Sequence, residues 1–326
     1  MLVPTGGVPL EAREVKPPVQ TVSAHKTSAY DYYVSGNTGD ALAPTRPGVA
    51  LMGGGGEVDE AFGWMVEGSG GGDFVVLRGS GADEYHEYLH GLGPLDSVET
   101  LVIHSREAAS DPFVLERVRN AEAIYLAGGD QARYVTMWKD TPLEQAINEA
   151  ATGGVPVGGS SAGLAVLGEF SFSARQGTIT SDEAMGDPGH PRMSLDRDFL
   201  GLFSMQDVIT DSHFSQRGRM GRLLAFMANI ARSGWADPVK GVGVDEATAV
   251  VVDDTGMGRV LGEGSAYFMR AAGPPEVCEP GKPLTYRGVP GVRVDSGGHF
   301  DLARWSGEGG TPVRFSVVQG KLEPEP

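Results

Sequence analysis

Two stretches of this chain carry the residue types that acyl transfer needs. The first is Gly159-Ser160-Ser161-Ala162-Gly163, which follows the apolar run Val155 to Val157. It matches G-x-S-x-G, a pattern whose central serine sits on a strained strand-to-helix turn that small neighbours allow to close. Ser161 is the candidate nucleophile, and Ser160 is the less well placed neighbour. The same composition also serves as a plain tight crossover, so the assignment depends on a base.

The second stretch supplies one. Most of the seven histidines have plain explanations: His25 lies in an irregular N-terminal segment, His86 and His90 on a polar helical pattern, and His190 and His299 in Gly/Pro loops. His213 instead follows the apolar run Val208 to Ile209 and precedes a helical pattern carrying Met220, Leu223, Leu224, Met227 and Ile230. In a parallel sheet that is a carboxyl strand end, where ligands bind and where Ser161 is also expected. A serine hydroxyl is a weak nucleophile until a base takes its proton. The bland alternative is a histidine that merely caps or packs a strand end.

A base needs a third group to fix its tautomer. Between Ser161 and His213 stand Glu169, Asp182, Glu183, Asp187, Asp196, Asp198, Asp207 and Asp211, and spacing does not choose among them. An oxyanion also needs donors. Gly128-Gly129-Asp130-Gln131 ends another apolar run, and its glycines either allow a backbone N–H to point into the rim beside the Ala162 N–H that follows the nucleophile or make an ordinary strand-to-helix turn. Gly53 to Gly56 is a rival donor loop, and its spacing does not fit a dinucleotide fingerprint. Arg217, Arg219 and Arg222 fall in the first two turns of the helix expected after His213. Cations there oppose the helix dipole and repel one another. Pairing with carboxylates such as Asp211 explains some of them, and one or two are expected to receive a substrate carboxylate.

The elements that would position these groups alternate along the chain. Strand patterns at Val49 to Met52, Phe74 to Leu77, Thr100 to Ile103, Ala123 to Leu126 and Val155 to Val157 are separated by helical patterns at Val58 to Glu67, Ala82 to Leu89, Pro112 to Arg119 and Ala132 to Ala151, the last broken at Pro142. A helix is expected over Leu164 to Glu169. Continuous apolar strands indicate burial on both faces, so the expected fold is α/β, a three-layer sandwich around a mostly parallel, doubly wound sheet. Residues 1–46 read as an extended N-terminal arm, 47–273 as the catalytic domain and 274–326 as a β-rich, irregular C-terminal extension. Hairpin texture begins near Gly241.

Composition narrows the partners. Against 26 basic residues stand 43 acidic ones, a formal charge of −17, which disfavours nucleic acid and anionic lipid. No stretch of about 18 apolar residues suggests a membrane span. Cys278 is the only cysteine, which fits a cytoplasmic protein, or a secreted one whose leader has been removed. No Cys/His group has zinc spacing, and neither a metal nor an organic cofactor is expected.

The stretches GGDQ, GGSSAGLAVLGEF and TDSHFSQRGRMGRL, in this order, with VDEATAVVV and GEGSAYF beyond them, resemble the cyanophycinase family of serine peptidases, with aspartyl dipeptidases as more distant relatives. The resemblance runs from about Gly48 to Arg270. It implies a fold like class I glutamine amidotransferase domains, Ser161 as nucleophile, His213 as base, and the Gly129 and Ala162 amides as oxyanion donors. It implies substrate recognition or site support by Asp130, Gln131, Asp211, Arg217, Arg219 and Arg222. For the acid, TITSDEAM points to Glu183, with Asp182 second. The family commonly reads Asp-Gln-His-Phe where this chain has Asp211-Ser212-His213-Phe214.

The expected function is a serine exopeptidase cleaving β-aspartyl or aspartyl bonds, with cyanophycin hydrolysis to β-aspartyl-arginine first and other acidic peptides second. Relatives of this fold often form dimers, which makes a homodimer an expectation. Two rivals remain at this level. An α/β-hydrolase esterase would place its histidine much further from the serine, and a binding protein of amidotransferase-like fold would keep the shape without turnover.

Overall fold

The computed structural model describes residues 21–307 and 309–325. Among them are seven α-helices and two mixed sheets. The first sheet has the order β1 (Thr21–Lys26), β2 (Tyr30–Gly36), β5 (Ser97–Ile103), β4 (Asp73–Arg78), β6 (Ala123–Leu126), β7 (Val157–Ser160), β3 (Val49–Met52), β12 (Thr248–Val252), β13 (Met257–Gly262) and β16 (His299–Asp301). The second runs β18 (Lys321–Glu325), β17 (Thr311–Val318), β15 (Tyr286–Asp295), β14 (Ser265–Ala271), β11 (Val239–Val244), β10 (Val208–Asp211), β8 (Phe170–Phe172) and β9 (Leu195–Arg197).

The expectation of one mostly parallel sheet is corrected. Parallel pairing is confined to β5-β4-β6-β7-β3 in the first sheet and β8-β10-β11 in the second. The hairpin-rich sequence after Gly241 adds antiparallel strands to both. The division into arm, core and extension changes accordingly. Residues 1–20 lie outside the described residues, yet β2 pairs along all of β5 and is part of the first sheet. The C-terminal strands β15, β17 and β18 extend the second sheet, while β16 joins the first through β13.

Period-two alternation explains how helices cover the first sheet. Val75, Leu77, Ile124 and Leu126 face the cluster that holds Val114 and Val118 of α3 (Pro112–Arg119) and Leu143 and Ile147 of α5 (Pro142–Thr152). Phe74, Val76 and Tyr125 face the other way, onto Phe62 and Met65 of α1 (Asp59–Gly68) and Leu89 of α2 (His86–Leu92). The helical pattern over Ala132 to Ala151 divides into α4 (Gln131–Trp138) and α5, with Pro142 at the first position of the second helix, where its missing N–H costs nothing. On the second sheet, α7 (Met220–Arg232) packs Leu223, Phe226, Met227 and Ile230 against Phe170, Ile209 and Val239, and α6 (Ser181–Gly186) contributes Ala184 and Met185 to the same core.

Two local expectations differ at the site. The segment after Ser161 is a single 3-10 turn, Leu164–Val166, rather than a helix through Glu169, because the chain leaves at Gly168, where a side chain would meet the Val208 carbonyl at 2.5 Å. And α7 begins at Met220, so Arg217 and Arg219 precede it and only Arg222 lies in its first turn.

Candidate active site

Ser161 ends the crossover from β7, and its φ of +54° is the left-handed conformation that a strained nucleophile turn requires. Gly163 makes the turn possible, since a Cβ there would lie 2.0 Å from the Leu126 carbonyl oxygen of the neighbouring strand. His213, just past β10, is also left-handed, at +47°. The serine thus comes from the first sheet and the histidine from the second; both were expected on the rim of a single sheet. Ser161 Oγ and His213 Nε2 are 2.7 Å apart.

His213 Nδ1 lies 2.6 Å from Oε1 of Glu246, which stands in the crossover from β11 to β12. An ionised carboxylate only accepts, so Nδ1 carries the proton and donates it to Glu246, which leaves Nε2 as the acceptor facing Ser161. The histidine side chain is 9% exposed and that of Glu246 is 31% exposed. The geometry therefore supplies hydroxyl, imidazole and carboxylate in a hydrogen-bonded line.

The acid of that line is Glu246, which corrects the expectation of Glu183 with Asp182 second. Glu183 is the third residue of α6, where its carboxylate accepts from the Thr180 amide at 2.9 Å and its side chain pairs with Arg192 at 2.9 Å. Thr180 and Glu183 form a reciprocal helix cap, and hydrogen bonds from Thr180 hold the Glu183 carboxyl below its ordinary range. The missed residue belongs to Val244-Asp245-Glu246, a pair of acids just after an apolar run. That is the same signal which singled out His213, but it lies beyond the Ser161 to His213 interval.

Burial lowers the pKa of His213 below its ordinary 6.5; the hydrogen bond to Glu246 opposes this, and the charges of Arg217 and Arg219 add to it. The imidazole is therefore neutral and able to accept a proton at neutral pH. The acid limb of a kcat/KM profile for this site is expected below pH 6.5, since that limb reports the free base. Arg217 Nε is 3.6 Å from Glu246 Oε1. Arg217→Ala removes a repelling charge, so it should move the limb to higher pH, whatever it does to the plateau. A wild-type limb at or above pH 7, or an unmoved one in the variant, would contradict this balance.

Ser161, His213, Gly129 and Ala162 open on a cleft of about 680 Å³ whose walls also carry Asp130, Gln131, Asp211, Arg217, Arg219 and Arg222. The predicted positions thus converge, but with different duties. Arg222 is spent on Asp211, with Nε to Oδ2 at 2.7 Å and a second nitrogen to Oδ1 at 2.6 Å. Both side chains are almost fully buried. Arg219 reaches Asp211 Oδ1 at 3.3 Å and the Ser212 carbonyl at 2.7 Å through one nitrogen. Burial pushes its pKa down to about 10, which leaves it charged at neutral pH. Asp130 caps α4 by accepting from the Ala132 amide at 2.9 Å, and Gln131 donates to the Phe172 carbonyl at 3.3 Å.

A buried bidentate pair broken on one side leaves an uncompensated charge, which costs about 3–5 kcal/mol. Asp211→Ala is therefore expected to destabilise the fold by about that amount in denaturant unfolding. A loss below about 1 kcal/mol would show that Arg222 finds another partner.

A model described as Peptidase family S51 matches residues 82–260 of this chain. Curated relatives include the cyanophycinase of Synechococcus elongatus, 34% identical over 187 residues, which are 57% of this chain and 52% of that protein. The cyanophycinase of Trichormus variabilis is 33% identical over 176 residues, 53% of each chain. The chain spans about half the length of the curated relatives it matches. Among solved structures, that of a peptidase from an acI-B1 Actinobacterium shares the fold at a TM-score of 0.54 and 19% identity, covering 80% of this chain and 98% of that one.

Proposed function

Because this chain belongs to peptidase family S51, we propose that it is a serine exopeptidase acting on β-aspartyl or aspartyl bonds, with cyanophycin as the leading substrate. The observation that carries the proposal is the line from Ser161 Oγ through both nitrogens of His213 to Glu246.

In this reading Ser161 Oγ attacks the scissile carbonyl carbon while His213 Nε2 takes its proton. The amides of Gly129 and Ala162 stabilise the oxyanion. Collapse expels the amine, which receives the proton from the imidazolium, and the acyl group remains on Ser161. Water then attacks that ester with His213 again as base, releasing the acid and restoring the hydroxyl. Glu246 holds the Nδ1–H tautomer and stabilises the imidazolium. Arg217 and Arg219 are the cations to receive a substrate carboxylate, because Arg222 is committed to Asp211 through two nitrogens, whereas Arg219 gives it one contact at 3.3 Å and Arg217 none. Asp211 and Arg222 support the cleft wall, and Asp130 and Gln131 edge it beside the oxyanion donors.

One observation favours a second reading, a peptidase of other acidic or β-aspartyl peptides. Ser212 accepts from Arg219 at 3.3 Å through its short hydroxyl, where the resembled family commonly has the longer glutamine. Release of β-aspartyl-arginine from cyanophycin, measured beside a panel of aspartyl and β-aspartyl dipeptides, decides between them. Faster release from cyanophycin than from any dipeptide supports the leading assignment. Turnover of dipeptides alone supports the second, and turnover of none of them defeats both.

A further inference from the structure

The geometry points to Gly54 and Gly55 as positioning residues that bring the three groups of the proposed line together, an inference that rests on the catalytic reading above. Ser161, His213 and Glu246 come from three separate segments, and nothing local to any of them sets their mutual distance. The end of β3 and the residues just past it touch all three. The Met52 carbonyl accepts from the Ser161 amide at 3.1 Å, the Gly53 carbonyl from the His213 amide at 2.9 Å, and the Gly54 carbonyl from the amide of Ala247, next to Glu246, at 2.8 Å. Three consecutive carbonyls thus each hold one arm of the site, across the junction between the two sheets.

The side chains meet the same segment. A methyl group on Gly54 would lie 2.8 Å from His213 Cε1, 2.9 Å from Nε2 and 2.9 Å from Ser161 Cβ. One on Gly55 would lie 2.7 Å from Cβ and from Cγ of Glu246. Both glycines are left-handed, at +81° and +76°. Gly54 therefore forms the floor under the serine-imidazole contact, and Gly55 the floor under the carboxylate. Gly56 differs: a methyl there would meet only Ala247 Cβ, at an ordinary 3.7 Å, and its φ is not left-handed. A displacement of an ångström in a reacting group can cost about 100-fold in rate.

The test is a set of three alanine variants with kcat and KM measured separately. Gly54→Ala is expected to lose about 100-fold or more in kcat while KM stays within about threefold, because the reacting pair and not the binding wall is displaced. Gly55→Ala should also lose kcat, and should move the acid limb to lower pH, since displacing Glu246 removes the contact that raises the His213 pKa. Gly56→Ala should behave as wild type. A Gly54→Ala enzyme with kcat within about twofold of wild type, or a Gly56→Ala enzyme that loses as much, overturns the inference.

A stability cycle separates this claim from the catalytic reading. The Tm drop caused by Gly54→Ala should be at most about half as large in a His213→Ala background, because the backbone strain is common to both and only the imidazole contact is gone. Equal drops in the two backgrounds overturn the inference. The cycle needs no substrate, so it holds even if no peptide is turned over, and if Gly54→Ala fails to fold, restored folding in the double variant supports the contact and continued failure opposes it.

Discussion

Ser161→Ala is expected to lower kcat for peptide hydrolysis by on the order of 10⁶-fold, because in the proposed mechanism it removes the atom that forms the acyl intermediate. The residual rate would come from the oxyanion amides and from substrate binding, which survive the change. The fold should not suffer. Ser161 holds a φ of +54° that alanine tolerates about as poorly as serine, and the backbone bonds of the turn do not involve the hydroxyl: the Ser161 amide donates to Met52 and its carbonyl accepts from Ala165. A variant with unchanged Tm and a rate near wild type would show that another group performs the attack. Ser160 is the obvious test of that, and Ser160→Ala is expected to leave most of the rate intact.

The second large effect separates the two acids. Glu246→Gln should lower kcat by about 10³-fold. The amide keeps the shape but loses the charge that stabilises the imidazolium, and its NH₂ group offers a donor where Nδ1–H needs an acceptor. Glu246 is about one third exposed, so solvent takes over part of its electrostatic task, and the loss is expected below the roughly 10⁴-fold seen for a fully buried acid in such a line. Glu183→Gln is the contrast. Its carboxylate belongs to the cap of α6 and to Arg192, so the variant should change kcat by less than about twofold and cost at most about 1 kcal/mol of stability. Equal rate losses in both variants would mean that the line through Glu246 is not the working one.

Much of this site was legible in the chain because its signals are local. The small residues around Ser161 announce a closed turn, and an apolar run that ends before His213 announces a strand end. The parallel strands and the helices between them were legible for the same reason: Pro112–Arg119 and Ala123–Leu126 match their expected bounds. What escaped was set by distant pairing. Glu246 lies after the histidine in chain order, and its role depends on how β11 and β12 belong to different sheets, a topology that periodicity does not encode. The second sheet was missed because hairpin texture shows that strands are antiparallel without showing which neighbour they join. Arg217 and Arg219 were misplaced because the helix starts only at Met220, and the division of labour among the arginines follows from the burial of Asp211, which composition does not reveal.

The central claim is that His213, held by Glu246, makes Ser161 a nucleophile. Folded protein treated at neutral pH with a serine-directed fluorophosphonate, digested and mapped by tandem mass spectrometry, tests it without any assumption about substrate. Wild type should carry one adduct, on Ser161, while His213→Ala should remain unlabelled over the same time and Glu246→Gln should react far more slowly. An unmodified Ser161 in folded wild type, or equal labelling with His213 removed, would contradict the account.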